Sequence, residues 1–215
     1  MNRARLVLAI IICGSYLHSM ELPLASLTYT YGTTKINLTK GDIYDFDGKA
    51  DVIVLGEQER SIPIEKSCFG ADSKSIIISG KEPKIFLMHD IQKNESIYCY
   101  HRFHYLTPDE NIRLHEFYKG EEAIKHAGED LYDFYQDALS GGYSRGKSIA
   151  IPTLSTSAGF PRNKAAVFAV SAIIDRIKTF PKEYDFYNMI YLVVNKESDF
   201  DLYKKLLEGH IAEQK

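Results

Sequence analysis

Gly141-Gly142-Tyr143-Ser144-Arg145-Gly146-Lys147-Ser148 has the spacing G-x-x-x-x-G-K-S of a phosphate-cradling loop. Such a loop works between a strand and a following helix, where backbone N–H groups and the helix N-terminus converge on phosphate. Here the order is inverted: helical spacing precedes the loop and an apolar strand pattern follows it. The segment reads as a helix stop and a turn into a strand, so nucleotide hydrolysis is not expected from it. A strand-loop-helix order does occur next, from Ser148 through Thr153-Leu154-Ser155-Thr156-Ser157-Ala158-Gly159-Phe160-Pro161. On residue types alone this is a joint whose Ser and Thr cap a helix. Lys40-Gly41-Asp42-Ile43 is a turn signal, and its ionised aspartate is an acceptor-only group that selects a donor-bearing partner. His89, His101 and His104 lack ligand spacing such as H-x-x-x-H with a third donor, so no metal site is expected.

The elements that must position these residues follow from hydrophobic period. Residues 26–31 and 35–38 alternate polar and apolar around Gly32-Thr33 and predict a β-hairpin. The run 51–55 (DVIVL) predicts a strand buried on both faces. Further strands are expected over 75–78, 85–88 and 96–100, with a break at Pro108. From 109 to 139 the apolar residues Ile112, Phe117, Ala123, Ile124, Leu131, Phe134 and Ala138 fall at helical spacing. Gly120 and Gly128 are expected to divide that helix, and Gly141-Gly142 to end it. Residues 147–152 predict another buried strand, 163–177 an apolar helix, 187–194 a last strand and 199–207 a last helix. Strands alternating with helices imply an α/β chain with its sheet covered on both faces.

Three of these segments, in this order, resemble a macro domain, the fold family that holds ADP-ribose. Gly41-Asp42-Ile43 followed by Ala50-Asp51-Val52-Ile53-Val54 is similar to the family's "GDI" turn and "DAIV" strand. Ser148-Ile149-Ala150-Ile151-Pro152 with Ser155-Thr156 and Gly159-Phe160-Pro161, leading to Ala165-Ala166, is similar to its "SIAFPxISTGxxGxP…AA" stretch. Residues 190–207 look like its final strand and helix. The resemblance implies a three-layer α/β/α domain with a central mixed sheet over residues 25–212. It also implies that Asp42 accepts from an adenine amino group while the N–H of Ile43 helps fix the ring. The loop Ser155, Thr156, Ser157, Ala158, Gly159 and Phe160 would cradle a diphosphate with backbone N–H groups.

Departures from the family pattern fall on the ligand site. Where the family continues "NAAN", this chain has Leu55-Gly56-Glu57-Gln58. Gln58 then stands where an asparagine binds the distal ribose, with its amide on a longer stem. Ser157 replaces the loop's first glycine, and Asn195 replaces an aromatic that in the family often stacks on adenine. The glycine-rich loop that carries a catalytic aspartate in many hydrolases is not recognisable between Glu59 and Ser75.

With 45% apolar and 26% charged residues the chain can build a core, and its formal net charge of -3 gives no reason to expect nucleic-acid binding. Arg3 and Arg5 followed by the apolar run 6–12 resemble a secretory signal within residues 1–20, too short to span a bilayer. A secreted or periplasmic protein is expected, with an N-terminal membrane anchor as the alternative and no other membrane contact. Cys68 and Cys99 share no metal motif; export would let them pair, and unpaired residues in or near the core are the more usual reading of such a spacing. The function these observations favour is binding of ADP-ribose, an ADP-ribosylated protein or a related nucleotide derivative, with no cofactor. Two alternatives stay open. One is an ADP-ribosyl hydrolase or deacylase, in which Glu57, Gln58 or Glu59 positions water. The other is a macro fold used for protein interaction through the aromatic run 98–105.

Overall fold

Alternation within short apolar strands governs the architecture. The computed structural model describes residues 25–57, 74–83, 85–90, 93–105, 113–140, 147–156, 159–179 and 187–212. The proposed leader, Gln58, Glu59, Cys68, Gly141 to Gly146, Ser157 and Ala158 lie outside the described residues.

The hairpin is β1 (Ser26–Tyr31) and β2 (Thr34–Lys40), followed by a 3-10 turn (Ile43–Phe46) and β3 (Val52–Glu57). Next come β4 (Ile76–Lys81), β5 (Ile85–Asp90), β6 (Glu95–Tyr105), β7 (Arg113–Lys119) and α1 (Gly120–Ala138). The chain then forms β8 (Ser148–Pro152), α2 (Arg162–Thr179), β9 (Met189–Val194) and α3 (Glu197–Ala212). Six strands make one sheet in the order β1-β2-β9-β8-β3-β4. The β1–β2 pair is antiparallel. All other pairs in that sheet are parallel, which makes it mixed.

In-register pairing, such as Leu38 with Leu192 and Ile151 with Leu192, stacks like side chains across the strands. One face carries Ile36, Leu38, Val52, Val54, Ile149, Ile151, Ile190 and Leu192, all fully buried. These residues share a core with buried side chains of α1, α2 and α3. On the opposite face Ile53, Leu55, Ala150 and Val193 pack with Phe46 and Ala50. The mixed central sheet flanked by helices fits the expected three-layer α/β/α arrangement.

Sequence spacing misled in one region. Residues 113–119 form β7, not helix, because β7 pairs along its full length with β6, from Cys99–Lys119 to Tyr105–Arg113. Pairing across a sheet outweighs a short helical spacing. Helix α1 begins at Gly120, whose φ of 60° lets a strand turn directly into a helix. It runs through Gly128 without a break. The antiparallel sheet β5-β6-β7 packs on α1. Tyr100 and Ile85 are buried in the shared core. The Tyr100 hydroxyl and the Arg102 guanidinium both donate to the Asp130 carboxylate. Cys99 is a buried free thiol.

Candidate functional site

Strands β2, β9, β8 and β3 run parallel, so their C-terminal ends emerge at one edge of the sheet. Open α/β sheets bind ligands at that edge. Asp42 follows β2, Asn195 follows β9, the 153–161 loop follows β8, and Gln58 follows β3 in sequence. One strand, β9, separates β2 from β8, so the exits of β2 and β8 are about two strand spacings, roughly 10 Å, apart. Backbone bonds tie both exits to β9. Gly41 N–H donates to the Val194 carbonyl at 2.8 Å, and Thr153 N–H to the Val193 carbonyl at 3.1 Å.

Asp42 is exposed and caps the 3-10 turn. Its Oδ1 accepts the Tyr44 N–H at 3.1 Å. One such bond holds the carboxylate in place and leaves acceptor capacity for an outside donor. Ile43, half-buried, anchors the same turn against Phe46 and Tyr191, whose rings lie 5.1 Å apart. Asn195 is exposed just beyond β9, beside the ion pair of Lys40 with Glu197.

The loop after β8 is closed by its own backbone. Phe160 N–H donates to the Ser155 carbonyl at 3.2 Å. The Phe160 ring is buried edge-on to Phe168, with centroids 6.3 Å apart. Ser155 adopts φ 63°, a left-handed backbone unusual for a residue with a side chain. Gly159 takes φ 83°, and a side chain there would strike the Ile85 carbonyl oxygen at 2.3 Å. Beneath the loop, the buried Tyr135 hydroxyl donates to the Pro152 carbonyl at 3.0 Å and accepts the Leu154 N–H at 3.2 Å. The two ends of the loop are thus fixed by hydrogen bonds before any guest arrives.

Sequence reasoning did not find Glu82. Its carboxylate, arriving from the end of β4, accepts the Ser155 N–H. Burial raises the Glu82 pKa above its ordinary value, and the Ser155 N–H opposes that shift. Of the loop amides expected to meet a diphosphate, those of Ser155 and Phe160 have partners within the protein. Thr156 and Gly159 are the other described members of the loop. Lys147 and Ser148, the described residues of the phosphate-loop pattern, lie at the start of β8 on the opposite edge. Their N–H groups both donate to Asp51, at 2.7 and 2.9 Å. His89 falls on β5, and His101 and His104 on β6. No cluster of metal-ligating side chains occurs among the described residues, and no described helix is long and apolar enough to cross a membrane. An open cleft of about 420 Å³ is lined by Arg102, Glu129, Tyr132, Asp133 and Phe168, none of them a predicted site residue.

No family model matches the chain, and no curated protein matches it. Solved structures do. An asparagine-to-alanine variant of the Oceanobacillus iheyensis macrodomain is 20% identical over 91% of this chain and 98% of that one, with a TM-score of 0.56. An aspartate-to-alanine variant of the same macrodomain is 19% identical over 88% and 99%, with a TM-score of 0.57. A glycine-to-valine variant with ADPR is 19% identical over 87% and 100%, with a TM-score of 0.54. Identities at this level speak for the fold.

Proposed function

On the macrodomain fold that these likenesses establish, we propose that the C-terminal edge of the parallel strands binds ADP-ribose or a related nucleotide derivative. The observation that carries this reading is the common edge of Asp42 and the Ser155 loop, with Gly41 before the one and Thr153 at the start of the other each bonded through backbone to β9 between them. In this reading Asp42 accepts from an amino group of the base, and the Ile43 backbone lies beside the ring. Thr156, Ser157, Ala158 and Gly159, at the end of β8 and ahead of α2, offer amides to the diphosphate. Asn195 lies at the β9 exit between the two, and Gln58 is assigned to the distal ribose. Titration calorimetry with ADP-ribose tests the proposal. Saturable heat is expected, and its absence at millimolar ligand removes the reading.

A second reading, a protein-interaction module, is favoured by one observation. Edge strand β5 exposes apolar side chains on both of its faces, with Phe86 44%, Leu87 63% and Met88 53% exposed. Such an edge invites a partner. Sedimentation velocity on the wild type and on Leu87→Glu tests whether this edge self-associates. Association lost in the variant supports the second reading, and a concentration-independent monomer counts against self-association.

A further inference from the structure

A loop amide already paired with a carboxylate is an anion site with a resident. Glu82 leaves the end of β4, the neighbour of β3, yet its side chain reaches Ser155, at the exit of β8 on the far side of β3. It crosses β3 at Gly56. A side-chain carbon placed on Gly56 would lie 3.0 Å from Glu82 Cδ and 3.2 Å from its Oε2. The same carbon would lie 2.7 Å from Leu154 Cδ2. The missing side chain at position 56 is therefore the gap through which the carboxylate reaches the loop. The group facing it from α1 is the buried Tyr135, whose hydroxyl is occupied by backbone partners and whose own pKa is raised by burial and by Glu82. Charge at Glu82 is thus balanced mainly by the Ser155 N–H, in a place where burial already disfavours it.

We propose that Glu82 is a built-in competitor for the Ser155 loop: its carboxylate occupies a backbone donor at the exit of β8 and opposes entry of a phosphate-bearing guest. The proposal rests on the reading of this edge as a nucleotide site. Two anions sharing one loop disfavour each other, and the incoming diphosphate must displace Glu82 or bind beside it. The device sets both affinity and selectivity. It weakens phosphate ligands as a class and weakens inorganic pyrophosphate most, because pyrophosphate near neutral pH carries more negative charge than the diphosphate diester of ADP-ribose.

The test uses the full chain as wild type, Glu82→Gln and Glu82→Ala, each titrated with ADP-ribose and with inorganic pyrophosphate. Glu82→Gln keeps the shape and an acceptor for the Ser155 N–H while removing the charge, so it holds the fold if Glu82→Ala does not. At least tenfold tighter ADP-ribose binding by Glu82→Gln, with a larger gain for pyrophosphate, is the expected result. A Ser155 amide proton that moves in the Glu82→Gln spectrum checks the contact itself, and an unmoved one overturns the proposal. Equal or weaker binding by both variants, with the wild type still binding, makes Glu82 a prop and overturns the proposal while leaving the nucleotide reading intact. No binding by any of the three proteins removes the nucleotide reading, and the competitor with it.

Discussion

Phe168 of α2 fills the notch that Gly128 leaves on α1. A side-chain carbon at Gly128 would sit 2.1 Å from Phe168 Cε2 and 2.3 Å from Cζ. Glycine is present here for close helix packing and not as a break. In an open helix, Gly→Ala gains up to about 1 kcal/mol. Gly128→Ala must instead push the Phe168 ring off Phe160, and overpacking of this kind costs about 1–3 kcal/mol. A net loss of stability in urea denaturation is expected. A net gain would show that the ring swings aside freely.

Tyr135→Phe keeps the ring and removes the hydroxyl that serves the Pro152 carbonyl and the Leu154 N–H. Buried backbone groups left without a partner cost about 1–3 kcal/mol. Denaturation should show a loss in that range, and hydrogen exchange at Leu154 should quicken. An unchanged exchange rate at Leu154 would mean that the hydroxyl does not hold the loop entrance.

Asp51 should give stability a marked acid dependence. Its carboxylate accepts the Ser148 hydroxyl at 2.8 Å together with the Lys147 and Ser148 N–H groups. Its pKa falls below the ordinary 3.8, chiefly through the Ser148 hydroxyl. A folded pKa below the unfolded one means stabilisation that is present above the unfolded value and lost as pH falls through the folded value. Asp51 is exposed, so solvent screening limits the contribution to about 1 kcal/mol. The stability difference between wild type and Asp51→Asn should persist from neutral pH to about 4 and vanish at lower pH. A difference that does not change with pH would contradict the assignment.

Strands whose every residue is buried were the most legible part of the chain. Residues 52–55 and 149–151 are apolar without interruption because both faces of the sheet are covered at those positions. The Gly41-Asp42 turn and the Ser155 loop were legible because turn and cap residues sit at the ends of such strands. β7 was not. Its residues satisfy a helical spacing, and only pairing with β6 decides their state. Gly128 was read as a divider because packing against Phe168 is a tertiary fact. Glu82 was invisible for a similar reason: nothing in Gly80-Lys81-Glu82-Pro83 announces a bond to a residue 73 positions away.

The central claim is that the guest sits on the edge between Asp42 and the loop after β8. Backbone amide spectra recorded during ADP-ribose addition locate it directly. Saturable shifts are predicted at Ile43, Thr156, Gly159 and Asn195, and they should weaken at least tenfold in apparent affinity in Asp42→Ala. Shifts confined to the cleft around Arg102, Glu129 and Asp133, or no shifts at millimolar ligand, would contradict the account.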